Sequence, residues 1–309
     1  MAAQAGLLQS QERLPQPTGS QGWTGPDGTL DLSRSPAFDG LKTSSAKKAD
    51  KGFVQIEDGA LTVVSGGDGV SAETELRILG GSITVTAEGD PSEVSCKGLK
   101  GKTGVTISGG SVSVTADDHA LRSGAGLTIS DGVLELCSRQ GKGIAAETEL
   151  TVSGGMLAVK SADDGLVSAD TVRISGGEVL IASGADGIQG GKKGTGFASE
   201  VGTVSIKGGR TLVSAFNKHV DAKASFVITG GTLFACGSGT PKPASEIPWL
   251  LFTARGSAGD ELQLKLDGAP ALTASYAYSS VFFADPALNE GQSFSLQAGS
   301  QTQEAQASR

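Results

Sequence analysis

Aromatic residues, histidine and cysteine are all scarce in this 309-residue chain, and each shortage excludes a class of function. Aromatics make up 5% of the residues, which argues against a compact enzyme with a wide core. The two histidines, His119 and His219, lie too far apart in the sequence to suggest a catalytic triad or a zinc site. The three cysteines are an odd number without metal-ligand spacing, and we expect them to stay thiols.

Long apolar runs and an excess of positive charge are also missing. No stretch of about 18 apolar residues offers a membrane span, and the start MAAQAGLLQSQERLPQPTGSQG lacks the charged region and apolar core of a signal peptide. The formal net charge of -8 argues against nucleic acid as a partner, because phosphate backbones require clustered Lys and Arg. The same charge permits cation binding.

Glycine is abundant, with 47 residues, and much of it belongs to an internal repeat. The segment 148–188 contains nearly the same pattern twice: a strand-like run, a Gly-Gly pair, alternating apolar residues and an Asp-Gly step. The second glycine of the pair, or its equivalent, recurs at intervals of 22, 29, 22, 23, 22, 32 and 22 residues, at Gly59, Gly81, Gly110, Gly132, Gly155, Gly177, Gly209 and Gly231. Self-similarity at a period of this length indicates a solenoid.

Each repeat carries three apolar stretches. An aliphatic residue precedes the Gly-Gly turn, and the residues two and four positions after it are apolar, as at Leu157 and Val159. A third apolar position follows the Asp-Gly step, as at Leu166. This period-2 alternation predicts strands with one face inward. Three short strands per repeat predict a parallel β-helix of about eight coils, which we expect to be right-handed, as parallel crossovers are. Leucine-rich repeats are excluded because their Leu/Asn framework is absent.

The repeat divides the chain into four parts. Residues 1–37, rich in Gln, Ser, Pro and Gly, are predicted to be an irregular or disordered lead-in. The β-helix is predicted over 38–236, and GSGTPKPASEIP at 237–248 has the turn residues of a linker. Residues 249–309 are predicted to be a C-terminal β cap and tail, because the open end of a β-helix must be covered against edge pairing. Its strand candidates are 249–253, 261–266, 271–284 and 293–297.

Stacking the repeats brings the residue before each corner glycine, or its substitute, into one column: Asp39, Asp68, Lys97, His119, Lys142, Asp164, Asp186 and Lys218. Asp163, Asp164 and Asp186 then fall within about two rungs of roughly 5 Å each. Carboxylates this close repel each other unless one is protonated or a cation neutralises them. Oxygen-rich clusters of this kind favour Ca²⁺. The alternative is that all three point into water and are screened.

The cations near this column form a basic spot on an acidic protein: Lys97, His119, Arg122 and Lys142. We predict that they bind the carboxylates of an acidic sugar chain, and the alternative is a solvated face. Phe197, Phe216 and Phe234 are scattered, which disfavours a stacking platform for neutral chains. Leu212 falls where the pattern expects an outward residue, and this irregularity marks a candidate groove.

An Asp-Asp-Gly-aliphatic corner followed by an Ile-Ser-Gly-Gly turn is complete in DDGLVSADTVRISGG, and variants or parts of it occur in DDHALRSGAGLTISDG and FVITGGTLFACGSG. In these motifs, over about 38–300, the chain resembles the bacterial carbohydrate-binding-domain family of right-handed parallel β-helices, whose fold is similar to that of pectate lyases. The best-known member of this family is a clostridial surface protein that binds acidic plant polysaccharides and holds calcium. By matching corners, the resemblance implies calcium-binding roles for Asp163, Asp164 and Asp186, with Asp117, Asp118 and Asp68 as lesser candidates.

Several corners depart from this motif, including Cys96-Lys97-Gly98 and Gly141-Lys142-Gly143, which implies fewer calcium sites than in the family. The function expected from the sequence is non-catalytic binding of an anionic, polygalacturonate-like plant cell-wall polysaccharide by a calcium-stabilised monomer. The resemblance places such a protein outside the cell or on its surface. The alternatives are a calcium-dependent polysaccharide lyase, with Lys142 or Lys97 abstracting the proton beside a uronate carboxylate, and a structural or adhesive surface scaffold.

Overall fold

Each copy of the repeat forms short strands on either side of its Gly-Gly turn and a third strand after its Asp-Gly corner. The computed structural model describes residues 38–44, 51–191, 202–239 and 241–309, and it contains no helix among them. The strands are β1 (Leu41–Lys42), β2 (Val54–Ile56), β3 (Ala60–Ser65), β4 (Val70–Ala72), β5 (Glu75–Ile78), β6 (Ser82–Ala87), β7 (Leu99–Gly101), β8 (Gly104–Ala116), β9 (Leu121–Ser123), β10 (Gly126–Ser138), β11 (Ile144–Ala146), β12 (Glu149–Val152), β13 (Met156–Ser161), β14 (Leu166–Ser168), β15 (Thr171–Ile174), β16 (Glu178–Ser183), β17 (Ile188–Gly190), β18 (Thr203–Ile206), β19 (Arg210–Ala215), β20 (Val220–Ala222), β21 (Ser225–Ile228), β22 (Thr232–Gly237), β23 (Ala244–Ser245), β24 (Trp249–Phe252), β25 (Glu261–Leu264), β26 (Ala271–Thr273), β27 (Ser280–Ala284), β28 (Ser293–Ala298) and β29 (Gln301–Gln306).

The strands of successive repeats pair in parallel, in the register that the 22-residue period predicts. In β13 and β16, for example, Leu157 lies opposite Val179 and Val159 lies opposite Ile181. The second glycines of the turns adopt positive φ, as at Gly155 (77°), a conformation that glycine reaches without a Cβ clash. The all-β prediction and the register are confirmed, whereas winding into a right-handed β-helix stays a prediction. The lead-in predicted over 1–37 lies outside the described residues.

Two hydrogen-bonded sets of strands enclose the core. The strands that follow the Asp-Gly corners form an 8-stranded sheet in the order β1-β4-β7-β9-β11-β14-β17-β20. The strands before and after the Gly-Gly turns form the second set, which is joined because β8 and β10 run through their turns and pair on both sides. The aliphatic residues predicted to face inward are buried, among them Ile78, Ile107 and Ile129.

The corner glycines are required by the core packed beneath them. A Cβ on Gly187 would lie 2.4 Å from the Cγ1 of Val213 and 2.6 Å from the carbonyl oxygen of His219. Other corner glycines face a Val or Ile in the same way. At the corner where His219 replaces glycine, the residue in register is Ala235, which has no γ-carbon. A corner glycine therefore leaves space for a Val or Ile beneath it, and at the His219 corner the small Ala235 leaves space for the imidazole.

The His219 side chain is fully buried, and neither ring nitrogen has a hydrogen-bond partner among the described residues. Its ring lies 6.1 Å from that of Phe282, which stacks on Trp249 at 5.7 Å. Burial lowers the pKa of His219 to about 3, because a charged imidazolium would lose its hydration there. The neutral ring is part of the apolar junction between the last repeats and the C-terminal strands.

This burial predicts acid sensitivity. The unfolded chain binds a proton at His219 below about pH 6.5, whereas the folded chain does not until about pH 3. Stability is therefore fully present above the unfolded pKa and falls with decreasing pH, by up to about 1.4 kcal/mol per pH unit. Urea unfolding between pH 7 and 4 is expected to show a shallower loss for His219→Leu than for the wild type. A Phe38→Leu control, at an exposed side chain that does not titrate, should keep the wild-type pH dependence of stability. Equal slopes for wild type and His219→Leu would contradict the prediction.

The C-terminal residues add antiparallel strands to the last repeat. Strand β27 pairs antiparallel with β22 and with β24, and β26-β25-β28-β29 form a separate 4-stranded sheet. A second core lies here, and it includes Leu212, Phe234 and Phe252. The single strand predicted over 271–284 is wrong, because β26 and β27 belong to different sheets. In the predicted linker 237–248, β23 still pairs in parallel with β21.

Candidate functional site

The corner aspartates hold the backbone of the next repeat. The Asp68 Oδ1 accepts the backbone N–H of Lys97 at 3.0 Å, and the Asp164 Oδ1 accepts that of Asp186 at 3.1 Å. The Asp186 Oδ1 accepts the N–H of Lys218 at 3.1 Å. One oxygen of each of these carboxylates thus satisfies a backbone donor at a corner. These residues align in one column of the sequence, but the alignment does not indicate this structural role.

Lys142 lies between the two adjacent aspartates of the predicted calcium cluster. Its ammonium is 2.9 Å from the Asp164 Oδ2 and also forms an ion pair with Asp163. Calcium needs six to eight oxygen ligands, and the described residues contain no group of three or more His, Cys, Asp or Glu able to hold a metal ion. With Lys142 as the counter-charge, the residues of this corner do not fit a calcium ion.

Asp186 is joined to this corner through its backbone N–H, which donates to the Asp164 Oδ1. Its Oδ2 accepts a hydrogen bond from the Gln189 Nε2 at 3.1 Å. Burial raises the pKa of Asp186, and the neighbouring Asp164 adds to the rise, although the Lys218 N–H opposes it. The structure therefore does not bring the three predicted carboxylates together around one point.

The lesser calcium candidates also have partners in the chain. Asp68 is buried and binds the Lys100 ammonium at 2.7 Å and the Ser95 hydroxyl at 2.6 Å. Asp117 binds the Arg139 guanidinium at 3.0 Å. Each of these carboxylates therefore already has a donor from its own chain.

Asp118 is held between two of the predicted ligand-binding cations. The Lys97 ammonium is 2.5 Å from its Oδ2, and the His119 Nδ1 is 2.6 Å from its Oδ1. Burial alone would raise the pKa of Asp118, but His119 and Lys97 hold it well below its ordinary value. The same His119 nitrogen lies 3.4 Å from the backbone N of Lys142. It cannot accept there while it donates to Asp118, so we assign the shorter contact.

The predicted basic spot is therefore neutralised from within the chain. Besides Lys97, His119 and Lys142, Arg122 forms an ion pair with Glu147. Burial lowers the pKa of Arg122, although Asp118 opposes this. These four cations already have carboxylate partners, so a ligand carboxylate would have to displace them.

A groove of about 580 Å³ lies elsewhere, on the outward face of the strands that follow the Gly-Gly turns. Its floor comes from β10, β13 and β16, and its wall comes from residues 271–275 of the C-terminal part. We define the groove by these residues: Ser113, Thr115, Glu135, Cys137, Ala158, Lys160, Leu180, Ala182, Leu212, Ser214, Ala271, Leu272, Thr273 and Ser275. Its volume is within the range of ligand pockets in proteins.

The edge of the C-terminal part determines where the groove begins. Leu180 and Leu212 are register partners on the same face. Leu212 is only 8% exposed because the C-terminal core covers it, whereas Leu180 is 38% exposed. The wall is fastened at Ser275, whose backbone N–H donates to the Ser214 hydroxyl at 2.7 Å. The irregular Leu212 thus lines a groove, as the sequence predicts.

The groove combines an apolar floor with polar groups at its edges. Ala158, Leu180 and Ala182 are small or apolar, while Glu135 and Lys160 are both exposed. Lys160 is the one cation among the described residues that line the groove, and it has no ion pair within the described part of the chain. Such a surface can contact apolar ligand faces and bind hydroxyl or carboxylate groups. The alternation places Glu135 and Lys160 outward, but the wall could not be foreseen from it.

Among the described residues there is no helix that could span a membrane.

Comparisons with known proteins add one finding. No curated protein and no solved structure matches the chain. The sequence model of the family described as carbohydrate-binding domain-containing protein matches residues 24–140 and 130–306. These two matches together cover most of the chain. The chain therefore belongs to the carbohydrate-binding domain-containing protein family.

Proposed function

We propose that this protein binds polysaccharide without cleaving it and that the groove is its binding site. The observation that carries the proposal is the apolar floor bordered by the exposed Glu135 and Lys160 in a member of a carbohydrate-binding family. Sugar rings present apolar C–H faces and hydroxyl groups together, and this surface offers partners for both. A polysaccharide partner favours a location outside the cell or on its surface, with the protein acting as a monomer.

The fold that we infer for this binder is a right-handed parallel β-helix with a C-terminal cap. Successive repeats pair in parallel with offsets of one repeat, as in β12 with β15 and β15 with β18. The right hand is the expected one because parallel crossovers are almost always right-handed. In this arrangement the outward columns form a long continuous surface on which a polymer can lie.

The ligand that we propose is an acidic, polygalacturonate-like chain, with one uronate carboxylate at Lys160. The net charge of -8 repels polyanions at long range, so the attraction must be local. Lys160 can supply it because no carboxylate of the described residues neutralises it. Calcium has no part in this binding mode, because Lys142 already neutralises the corner carboxylates.

Binding is favoured over cleavage by the contents of the groove. Glu135 is the one carboxylate among the described lining residues, whereas glycoside hydrolysis uses a pair of carboxylates. A lyase would need a base together with a cation that neutralises the uronate carboxylate, and Lys160 is a single cation. An unsaturated, ultraviolet-absorbing product formed from polygalacturonate would establish the lyase instead. A scaffold without a ligand predicts no retardation in any polysaccharide gel.

The test is calorimetry with oligogalacturonates, comparing the wild type with Lys160→Ala. Loss of a charged hydrogen bond is expected to weaken binding by about tenfold or more. Lys97→Ala is the matched control, because Lys97 is already paired with Asp118 and should leave the affinity unchanged. Neutral, methyl-esterified oligomers should bind wild type and Lys160→Ala alike. Absence of binding to both ligands would contradict the proposed function, and equal binding of oligogalacturonates by wild type and Lys160→Ala would contradict the acidic ligand.

A further inference from the structure

One end of the groove carries a pair of aromatic rings, the exposed Phe216 and the half-buried Tyr276. Their centroids are 6.3 Å apart and their planes meet at 75°, an edge-to-face arrangement. Phe216 is 54% exposed, although most other phenylalanines of the described residues are buried in the two cores. Both rings lie close to groove residues in the sequence, since Tyr276 follows Ser275 and Phe216 is two residues after Ser214. The pair therefore extends the groove at the junction of the repeats and the C-terminal part.

The repeats before Phe216 leave space beside it. The backbone N–H of Phe216 donates to the Ser183 carbonyl, and that of Gly184 donates to the Ser161 carbonyl. Phe216, Gly184 and Ala162 are therefore equivalent positions on successive repeats. On that side the two adjacent positions offer no side chain larger than a methyl group. A ligand ring can reach Phe216 without displacing any part of the protein at these positions.

The far side of this space is closed by a fixed cation. Arg139 occupies the equivalent position one repeat before Ala162 and binds both Glu88 and Asp117 at 3.0 Å. Three repeat spacings of about 4.8 Å separate the backbones of Phe216 and Arg139. Within this backbone distance of about 14 Å, the two intervening positions carry no side chain larger than a methyl group, which leaves room for a sugar ring.

We propose that Phe216, supported by Tyr276, is a stacking subsite of the groove that binds the apolar face of a pyranose ring. This inference rests on the proposed function. The C–H bonds of such a face carry partial positive charge, and an aromatic ring presents a negative face to them. Lys160 lies two repeats away from Phe216, roughly 10 Å along the stack. One ligand must span several sugar residues to reach both, so affinity should rise with oligomer length until both subsites are filled.

The test is calorimetry with oligogalacturonates of two to six residues, on the wild type, Phe216→Ala, Phe216→Trp and Phe38→Ala. Phe216→Ala is expected to lose at least about tenfold in affinity for the longest oligomer and little for the dimer. Phe216→Trp should retain binding, and its added tryptophan emission should change when ligand is present. Phe38→Ala is the matched control, because Phe38 is 69% exposed but is not part of the groove.

The outcomes separate this subsite from the proposed function. If the wild type binds and Phe216→Ala binds equally at every length, the stacking subsite is wrong and the groove remains. If the wild type binds neither oligogalacturonates nor their methyl esters, the stacking subsite and the proposed function are both wrong. If Phe216→Ala is unstable, Phe216→Trp decides the question, because a folded variant with unchanged emission on ligand binding contradicts stacking.

Discussion

Replacing Lys142 by methionine is expected to lower the free energy of unfolding by about 3–5 kcal/mol. Lys142 is 5% exposed and Asp164 is 3% exposed, so the substitution leaves a buried carboxylate without this counter-charge. Methionine keeps most of the apolar stem, which restricts the effect largely to the charge. Urea unfolding at pH 7 measures the difference. Lys97→Met, at a more exposed ion pair with Asp118, is the matched control and should lose only about 1 kcal/mol.

Calcium provides a second readout of the same variant. With Lys142 present, excess Ca²⁺ or a chelator should leave the melting temperature of the wild type unchanged. In Lys142→Met the two aspartates lose this ammonium, but no third carboxylate of the described residues completes a metal site there, so Ca²⁺ should leave the melting temperature of this variant unchanged as well. Equal losses for Lys142→Met and Lys97→Met would contradict the role of Lys142. A rise in the wild-type melting temperature with Ca²⁺ would restore the calcium site that the sequence predicts.

Gly187→Ala is expected to cost at least about 3 kcal/mol, because the added Cβ overpacks the core. The obstacle is spatial, since that Cβ would lie 2.4 Å from the Cγ1 of Val213. Val213→Ala alone should cost about 2 kcal/mol for the lost burial. The double variant should lose less free energy of unfolding than the sum of the two single losses, by about 1 kcal/mol or more. The natural pair of His219 and Ala235 suggests this coupling.

The rescue should be incomplete, because the added Cβ also approaches the carbonyl oxygen of His219 at 2.6 Å. Chemical unfolding of the wild type, both single variants and the double variant gives the coupling energy directly. Gly126→Ala is a suitable control, because the nearest atoms to its Cβ would lie 3.7 Å away, at ordinary van der Waals distance. Additive losses in the cycle would contradict the argument that the corner glycine makes room for the valine.

The fold could be predicted to the level of register, because parallel pairing turns a fixed period into columns. Leu134, Leu157 and Val179 stack as the period requires, and Gly155 has the positive φ that its turn demands. The division of 271–284 into two strands was not predictable, because no Gly or Pro marks the break. The hand of the winding is likewise not encoded in the period.

The candidate site was less predictable, because it depends on side-chain reach and on the docking of distant segments. The column placed Lys142 one repeat before Asp164, but mutual repulsion of the aspartates suggested a metal ion. The structure places the flexible Lys142 ammonium between Asp163 and Asp164 instead. The groove needs the C-terminal wall at 271–275, whose position over Leu212 follows from the second core and not from any local pattern.

The interval of 32 residues between Gly177 and Gly209 indicates where this chain can accept inserted residues. A Cβ placed on Gly191 would lie 2.6 Å from the Cα of Gly202, so the chain leaves and re-enters the repeat at nearly the same point. The Gly191 N–H still donates to the Ser168 carbonyl and the Thr203 N–H to the Asp170 carbonyl. The pairing is that of a complete 22-residue repeat to which ten residues have been added. Lengthening a surface loop costs little conformational entropy. This corner is therefore a site where residues can be inserted while the strand pairing on either side of it is kept.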